Sequence, residues 1–303
     1  MTGVDVIVPT RNRPHKLERC LEALAAARQL EDFQVYVCDS SEGNVRDAVS
    51  EICAKHAFVT FSPHDRVGYA QARNACAKVG RASLVVSVDD DVYVQPDAVR
   101  LLVEAYERAG GWTVVAGSVA WGSDWSAPVV MRRIGYGRKA RTGEQPDFIL
   151  TALYLFPREL AELTPFNELI RSSDDRFIGA LWKARGVTVI YERAARAFHD
   201  DEHTTGLSTA DHQDSHIYSN LFDALFVRRS LWTAACFELL GFAAGIKVYG
   251  RSRDSRSDFL EAWWNGHSML WRDRRQLRAA ASASLPSRPP RKAPFESLGH
   301  HLI

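Results

Sequence analysis

The 303-residue sequence has only five cysteines, an odd number, and none of them forms a C-x-x-C pair. It therefore lacks the cysteine pattern of a disulfide framework or a zinc finger, and we interpret the cysteines as reduced core residues. Its 38 Lys and Arg residues against 37 Asp and Glu residues give a net charge of +1. Without a global positive field, we expect no nucleic-acid partner.

Long apolar runs are also missing. The most apolar late segment, 231–246, is interrupted by Glu238 and is shorter than a bilayer requires, so we expect no transmembrane span. Contact with a membrane surface stays open. The chain begins almost directly with an apolar strand, so we expect no signal peptide and a cytoplasmic protein, either free or peripheral to a membrane.

No glycine-rich turn follows the first predicted strand, where Pro9 and Thr10 stand instead. This excludes a dinucleotide fingerprint, and it argues against a nucleotidyltransferase, which needs a basic glycine-rich loop there. The sequence also has no P-loop. If phosphates are bound, they must be held by a metal ion and by basic side chains, for which the candidates are Arg11, Arg13, Arg66 and Arg73.

The first third of the chain alternates apolar strands with amphipathic helices. We predict strands at 4–8, 33–37, 58–61 and 84–88, and helices at 14–29, 45–56, 68–79 and 97–108. This alternation predicts a parallel sheet, in which ligands bind at the carboxyl ends of the strands. The notable polar residues at those ends are Thr10, Arg11, Asp39, Asp89, Asp90 and Asp91.

Three adjacent carboxylates follow the fourth strand as Asp89, Asp90 and Asp91. Their mutual repulsion costs stability unless a cation offsets it, and carboxylate oxygens suit Mg²⁺ or Mn²⁺. The alternative is a solvated acidic turn at the start of the next helix. We favour the metal site.

A second acidic pair, Asp174 and Asp175, precedes an amphipathic pattern formed by Phe177, Ile178, Leu181 and Trp182. Two carboxylates at a helix start can be an ordinary acidic first turn, stabilised by the helix dipole. They can also supply a general base whose orientation the helix fixes.

The remaining segments are less informative. We expect 110–150 to be the least regular part, with Trp112, Trp121, Trp125 and Tyr136 available to stack on a sugar or simply buried in an insertion. Later segments predict a strand at 187–191 that ends at the basic stretch 192–196. They also predict helices at 221–245 and 259–277 and a flexible tail at 279–293, with His212 and His216 on a surface helix.

Several segments in order resemble the GT-A fold glycosyltransferases of family 2. They are VIVPTRNRP, VCDSSEGN, RVGYAQARNA and VVSVDDDVYVQPDAV, followed by ILTALYLFPRELAELTPFNELIRSSDDRFIGALWKARG and AFHDDEHTTG. The resemblance extends over about residues 4 to 275. It implies a Rossmann-like α/β fold with a mixed, mostly parallel sheet flanked by helices and a C-terminal helical extension.

The resemblance also implies roles on the donor side. Pro9, Thr10 and Arg11 match the positions that contact the nucleotide, and Asp39 matches a carboxylate that recognises the uracil or other base edge. Gly68 and Arg73 match the loop and helix that close over the nucleotide. Of the acidic triplet, Asp91 is expected to bind the metal, Asp89 to lie nearer the ribose and the metal-bound water, and Asp90 to be the variable middle residue of a D-x-D motif.

On the acceptor side, the resemblance favours Asp175 as the base and Asp174 as a positioning residue, although the family usually has Glu-Asp here. A lone histidine after an aromatic residue is more often structural, but the resemblance makes His199 a metal ligand alongside Asp91 and Asp89. His203 is a weaker candidate.

These expectations describe a metal-dependent inverting glycosyltransferase with Mn²⁺ or Mg²⁺. The donor is expected to be a nucleotide-diphosphate sugar, preferably a UDP-sugar, and the acceptor a hydroxyl in glycan, glycolipid or secondary-metabolite biosynthesis. The alternatives are a catalytically silent protein that binds a nucleotide sugar or serves as a scaffold and, less favoured, a nucleotidyltransferase. We expect a catalytic domain over 1–210, divided at 110, a helical extension over 211–278 that offers a homo-oligomer surface, and a tail over 279–303.

Overall fold

The computed structural model describes residues 3–65, 68–132, 137–141, 144–150, 152–170, 174–200, 209–249 and 253–287. Arg66, Tyr136 and His203 lie outside these ranges, as do residues 288–303 of the predicted tail. The prediction of a tail from 279 is wrong for its first four residues, which are helical because the last helix continues to Ser282. The backbone of His212 is described but its side chain is not.

The strands include the four that the sequence predicts and several that it does not. They are β1 (Val4–Thr10), β2 (Phe33–Asp39), β3 (Val59–Pro63), β4 (Leu84–Val88), β5 (Val92–Val94), β6 (Thr113–Trp121), β7 (Asp124–Trp125), β8 (Val129–Met131), β9 (Gly137–Lys139), β10 (Leu153–Pro157) and β11 (Thr188–His199).

The helices flank this sheet and then continue beyond it. They are α1 (Pro14–Ala27), α2 (Gly43–Ala54), α3 (Tyr69–Cys76), α4 (Ala98–Ala109), α5 (Arg158–Leu163), α6 (Asp174–Ala184), α7 (Thr209–Phe222), α8 (Leu231–Tyr249) and α9 (Arg253–Ser282), with one π-helical segment at Asp223–Val227.

The main sheet has the order β3-β2-β1-β4-β10-β6-β11-β5. Strands β1 to β4 pair in parallel, whereas β10 is antiparallel to both of its neighbours and β5 is antiparallel to β11. The sheet is therefore mixed and mostly parallel, which confirms the predicted fold class. The strand-helix alternation alone predicts an entirely parallel sheet. That prediction is wrong, because β10 runs antiparallel to both of its neighbours.

The sheet must curl, because β4 and β5 are joined by only three residues although they stand four places apart in the strand order. Four residues of extended chain reach at most about 14 Å. Four strand spacings of about 4.8 Å would separate the two strands by about 19 Å in a flat sheet. Curling brings the end of β11 back beside the acidic turn that joins β4 to β5.

Burial explains why the central strands are continuous apolar runs. Every residue of β1 and β4 is buried, since helices cover both faces of the sheet. Helix α1 packs its buried side against the sheet through Leu17, Leu21 and Leu24, which recur at helical spacing as predicted. All five cysteines are free, and Cys236 alone among them is more than slightly exposed, as expected of core residues.

Two predictions about the middle of the chain are wrong. The segment 110–150 contains the regular strand β6, whose residues Thr113 to Ala120 are all buried in the sheet. The basic stretch 192–196 does not end a strand, because β11 continues through it with a β-bulge between Tyr191 and Arg196. Ala195 and Ala197 are fully buried there, so the bulge accommodates the charged residues without interrupting the strand.

The predicted helix at 221–245 is also wrong as a single element. Helix α7 ends at Phe222, a π-helical segment follows, and α8 begins only at Leu231. Arg229 has a φ of 51°, which ends the helical path between them. Among the described residues, no helix is both long enough and apolar enough to cross a bilayer.

Candidate active site

The predicted polar residues meet at one edge of the sheet. Thr10 and Asp39 are paired partners at the ends of β1 and β2, and the acidic turn 89–91 follows β4, the other neighbour of β1. On the far side, His199 at the end of β11 is paired with both Trp121 and Val92. The curled sheet thus places His199 beside the acidic turn.

Asp39 is completely buried, and only one of its two carboxylate oxygens accepts a hydrogen bond from the described part of the protein. Its Oδ1 accepts hydrogen bonds from the Ser41 backbone N at 3.0 Å and from Ser41 Oγ at 2.6 Å. Its Oδ2 is buried and has no hydrogen-bond partner among the described residues, with Arg46 Nε 3.9 Å away. A buried carboxylate oxygen without a donor is costly, which favours a ligand N–H at this position.

The acidic triplet is not a solvated turn. Asp90 and Asp91 are only 4% and 7% exposed, and Arg13 Nη1 lies 3.2 Å from Asp90 Oδ1 and 2.8 Å from Asp91 Oδ2. Thr10 Oγ1 also donates to Asp90 Oδ2 at 2.7 Å. Burial nevertheless raises the pKa of Asp90 to about 7, against the opposing effect of Arg13.

Asp91 and His199 form the pair best arranged for a divalent cation. The Nδ1 of His199 is 2.8 Å from the carbonyl oxygen of Asp200, which can only accept, so Nδ1 carries the proton. In the neutral imidazole, the lone pair of Nε2 then faces Asp91 Oδ1 at 3.5 Å. Two electron-rich atoms facing each other at this distance are the donor set that a cation satisfies. Within the described ranges, no group of three or more His, Cys, Asp or Glu side chains is arranged to hold a metal ion.

Arg73 lies between Asp89, which is in the acidic turn beside the Asp91–His199 pair, and Asp174 of the second acidic site. Its Nη2 donates to Asp89 Oδ1 at 2.7 Å, and its Nε lies 4.0 Å from Asp174 Oδ2. The guanidinium is buried under the site and stacks on the ring of Tyr69 at 4.4 Å. Tyr69 OH donates to the other oxygen of Asp89 at 2.9 Å. Both oxygens of Asp89 are thus bonded to protein groups, and Arg73 contacts carboxylates.

Asp174 and Asp175 begin α6, as predicted from the apolar positions that follow them. Asp175 Oδ1 accepts a hydrogen bond from the backbone N of Arg176 at 2.7 Å. Burial, and then the neighbouring charge of Asp174, raises the pKa of Asp175 to about 7, because these effects outweigh the hydrogen bond from the Arg176 backbone and the charges of Arg176 and Arg73.

A cavity of about 380 Å³ opens beside Asp175. Its described lining combines apolar and basic side chains and contains one carboxylate. The lining residues are Val129, Gly137, Arg138, Lys139, Phe148, Asp175, Arg176 and His216.

The other predicted positions lie at the same edge. Pro9 is buried in β1 opposite Cys38, Arg11 is exposed just beyond the strand, and Gly68 caps α3 with its N donating to Gln71 Oε1 at 2.9 Å. The adjoining Arg66 lies outside the described residues.

Sequence reasoning missed three side chains of the site. Tyr69 follows Gly68 in a segment that was assigned only by its glycine and arginine. Trp121 stacks on His199 with ring centroids 4.8 Å apart, whereas the sequence predicts only sugar stacking or burial for it. His216 is not on an open surface, since it lines the cavity 2.8 Å from Arg176 Nη1. Its pKa falls to about 3 through burial and then Arg176, and no pattern in α7 signals this because the contact is tertiary.

The family model described as glycosyl transferase family 2 matches residues 5–174, which is more than half of the chain. The chain belongs to this family. Membership favours the glycosyltransferase expectation over the nucleotidyltransferase alternative, and the matched range contains Asp39, the acidic triplet and Asp174.

Relatives and solved structures agree with this family 2 assignment. An N-acetylglucosaminyltransferase of Sinorhizobium fredii is 32% identical over 118 residues, which cover 36% of this chain and 28% of that protein. The chain matches only 11 to 28% of the length of its curated relatives.

Two structures share the fold. S. aureus TarS 1-349 in complex with UDP-GlcNAc has a TM-score of 0.59 at 15% identity, covering 92% of this chain and 89% of that one. GalNAc-T7 with UDP, GalNAc and Mn²⁺ has a TM-score of 0.60 at 12% identity, covering 90% of this chain and 56% of that one. These likenesses show the GT-A fold.

Proposed function

We propose that this protein is a metal-dependent inverting glycosyltransferase that uses a nucleotide-diphosphate sugar, preferably a UDP-sugar. The observation that carries the proposal is Arg73, which joins two carboxylates of different origin. Asp89 belongs to the turn that contains Asp91, the partner of His199. Asp174 directly precedes Asp175, the carboxylate that lines the cavity. One buried cation therefore lies between the turn proposed for the donor and the helix start proposed for the acceptor, hydrogen-bonded to Asp89 and 4.0 Å from Asp174 Oδ2.

On the donor side, Asp39 would accept the imide N–H of uracil through Oδ2, its oxygen without a protein donor. Two likenesses support the choice of uridine: the TarS structure contains UDP-GlcNAc, and the GalNAc-T7 structure contains UDP with Mn²⁺. Asp91 and His199 would hold the cation, with diphosphate oxygens completing its coordination. A bound Mn²⁺ or Mg²⁺ would neutralise charge on the departing diphosphate.

On the acceptor side, the cavity would hold the hydroxyl-bearing molecule against Asp175. The carboxylate takes the hydroxyl proton while the hydroxyl oxygen bonds to the anomeric carbon. The bond from that carbon to the diphosphate oxygen breaks, the nucleoside diphosphate leaves, and the configuration inverts. Arg73 positions both sides through Asp89 and Asp174, so proximity contributes to the rate.

Calorimetric titration with UDP, GDP and dTDP, each with and without Mn²⁺, tests the donor site. We expect one nucleotide, UDP, to bind only with the metal, and Asp91→Ala to weaken this binding by at least about tenfold, the loss of one charged metal ligand. The matched control is Asp47→Ala on the exposed side of α2, which should bind UDP like the unaltered protein.

Each other outcome revises a defined part of the proposal. Metal-dependent binding of GDP or dTDP would overturn the uridine preference and keep the metal site. Binding of no nucleotide in the presence of Mn²⁺ would favour the silent-scaffold alternative. Equal binding by Asp91→Ala and the unaltered protein would remove Asp91 from the metal site.

A further inference from the structure

Exposed apolar side chains concentrate on the last two helices. Of the twelve large apolar residues that are exposed in the described part of the chain, eight lie on α8 or α9. They include Leu231 at 80%, Leu239 at 74%, Trp264 at 75% and Trp271 at 70% exposure. This concentration exceeds the scattered exposure that is normal for a protein surface.

The outer side of α8 is apolar for most of its length. Thr233, Ala234 and Phe237 face the protein and are buried. The helix has only two charged residues, and one of them, Glu238, is turned towards α9, where its Oε1 lies 2.8 Å from His267 Nε2. Lys247 is therefore the one charge on the outer side of α8, near its C-terminal end.

Helix α9 extends the same surface. Trp263 packs on α8, with its ring 5.1 Å from that of Phe242, which is itself 37% exposed. Trp264 is the next residue, and Leu260 and Trp271 fall within about 40° of it around the helix. We call the exposed apolar residues of α8 together with this stripe of α9 the apolar face.

Basic residues stand at both ends of the apolar face. Arg275 and Arg278 continue the α9 stripe beyond Trp271 and are exposed, and the guanidinium of Arg274 lies 4.2 Å over the Trp271 ring. Lys247 is exposed at the opposite end. The nearest acidic residue on this part of α9, Glu261, lies about 60° or more around the helix from the stripe.

We propose that the apolar face is a docking surface for a membrane that contains anionic lipids. Exposed tryptophan and leucine side chains would enter the boundary between headgroups and acyl chains, while the flanking arginines and Lys247 contact lipid phosphates. Anionic lipid complements a face with cations at both ends. A symmetric pair of copies does not, because pairing in either direction would place cations next to cations.

Vesicle flotation tests this proposal with the full chain, because it needs no substrate. We expect binding to vesicles of phosphatidylcholine mixed with phosphatidylglycerol, weaker binding to phosphatidylcholine alone, and loss of binding as salt increases. Leu239→Glu should weaken binding by at least about tenfold, because it places a charge in the apolar layer. Arg275→Gln with Arg278→Gln should weaken it by about fivefold for each arginine.

The matched control is Leu30→Glu, which introduces the same charge at a residue that is 51% exposed between α1 and β2. It should bind vesicles like the unaltered chain, and circular dichroism should show that all variants are folded. Sedimentation velocity tests whether a second copy of the chain, instead of a membrane, covers the apolar face. A dimer that Leu239→Glu dissociates, without vesicle binding, would overturn the proposal in favour of a second copy. A monomer that binds neither vesicle type would overturn it as well.

Discussion

Asp175 combines the two properties that a general base needs at neutral pH. It lines the cavity, and burial with the adjacent Asp174 raises its pKa to about 7. A carboxylate with this pKa accepts a proton more readily than an ordinary aspartate while it is still substantially ionised near neutrality. The same residue at an exposed helix start would be a much weaker base.

We therefore expect the transfer rate to depend on the ionisation of Asp175. Because the ionised form is the active one, kcat should fall as the pH is lowered through about 7 and should level off above it. Asp175→Asn removes the base and should lower kcat by about 10²-fold or more. Nucleotide affinity in the presence of Mn²⁺ should stay within about twofold, since uniform donor binding is untouched.

The control for this prediction is Asp90→Asn, because the pKa of Asp90 is also raised to about 7. A pH profile that keeps its acidic limb in Asp90→Asn assigns the limb to Asp175. If Asp175→Asn retained both the rate and the limb, the base would have to be another group.

At the residue scale, the sequence predicted where polar side chains stand better than which of them pair. Asp39, Asp91 and His199 reach the predicted edge of the sheet and Asp175 begins α6, because strand ends and helix starts are visible as patterns. The sequence did not reveal that Arg73 would lie between two carboxylates, since that contact joins residues far apart in the chain. The roles assigned to Asp39, Asp91, Asp175 and His199 stay predictions until the variants are measured.

At the scale of elements, α6 packs unusually closely on the segment that precedes β10. A Cβ built at Gly179 would lie 2.6 Å from the carbonyl oxygen of Asp147, closer than such atoms approach. Lys183, one turn further on, forms an ion pair with the Asp147 carboxylate. The small residue and the ion pair together fix the helix that carries Asp175.

Gly179→Ala should therefore destabilise the protein by about 1 to 3 kcal/mol through overpacking. An alanine in an unhindered helix would instead stabilise it by about 1 kcal/mol. Because Gly179 and Asp175 are one turn apart on the same side of α6, kcat should also fall while nucleotide affinity does not. Urea unfolding and steady-state transfer measure the two effects.

The matched control is Gly241→Ala on α8, where the nearest atom to the new Cβ is a movable ring carbon of Phe237 at 3.1 Å. This variant should keep its transfer rate. Stabilisation of the protein by Gly179→Ala would contradict the close packing described above.

Element boundaries followed from the sequence only where local pattern decides them. Strands β1, β2 and β4 and helix α6 are predicted because apolar periodicity and burial coincide there. Strand β11 was cut short because Glu192 and Arg196 look like a strand end, whereas a bulge carries the pairing past them. The helix break near Arg229 has no glycine or proline to announce it, so the apolar residues on either side of 228–230 predict one continuous helix.

At the scale of the whole molecule, the sheet and the C-terminal helices share a core. Phe177 of α6 stacks on Phe222 of α7 with ring centroids 4.5 Å apart, and Phe222 is completely buried. Arg185, just after α6, donates from Nε to the carbonyl oxygen of Ala280 in α9 at 2.9 Å. The division into a catalytic domain at 1–210 and an extension at 211–278 stays a prediction, and these contacts indicate that the two parts depend on each other.

This shared core predicts that the protein unfolds as one unit. Phe222→Ala should lower the free energy of unfolding by about 3 to 5 kcal/mol, the cost of emptying a large aromatic site. Because α6 and α7 lose the same contact, the whole urea transition should shift, with circular dichroism and fluorescence remaining coincident. Trp264→Ala, at a residue that is 75% exposed, is the control and should change stability by no more than about 0.5 kcal/mol. Two separate transitions, with only one moved by Phe222→Ala, would show instead that the C-terminal helices fold independently of the sheet.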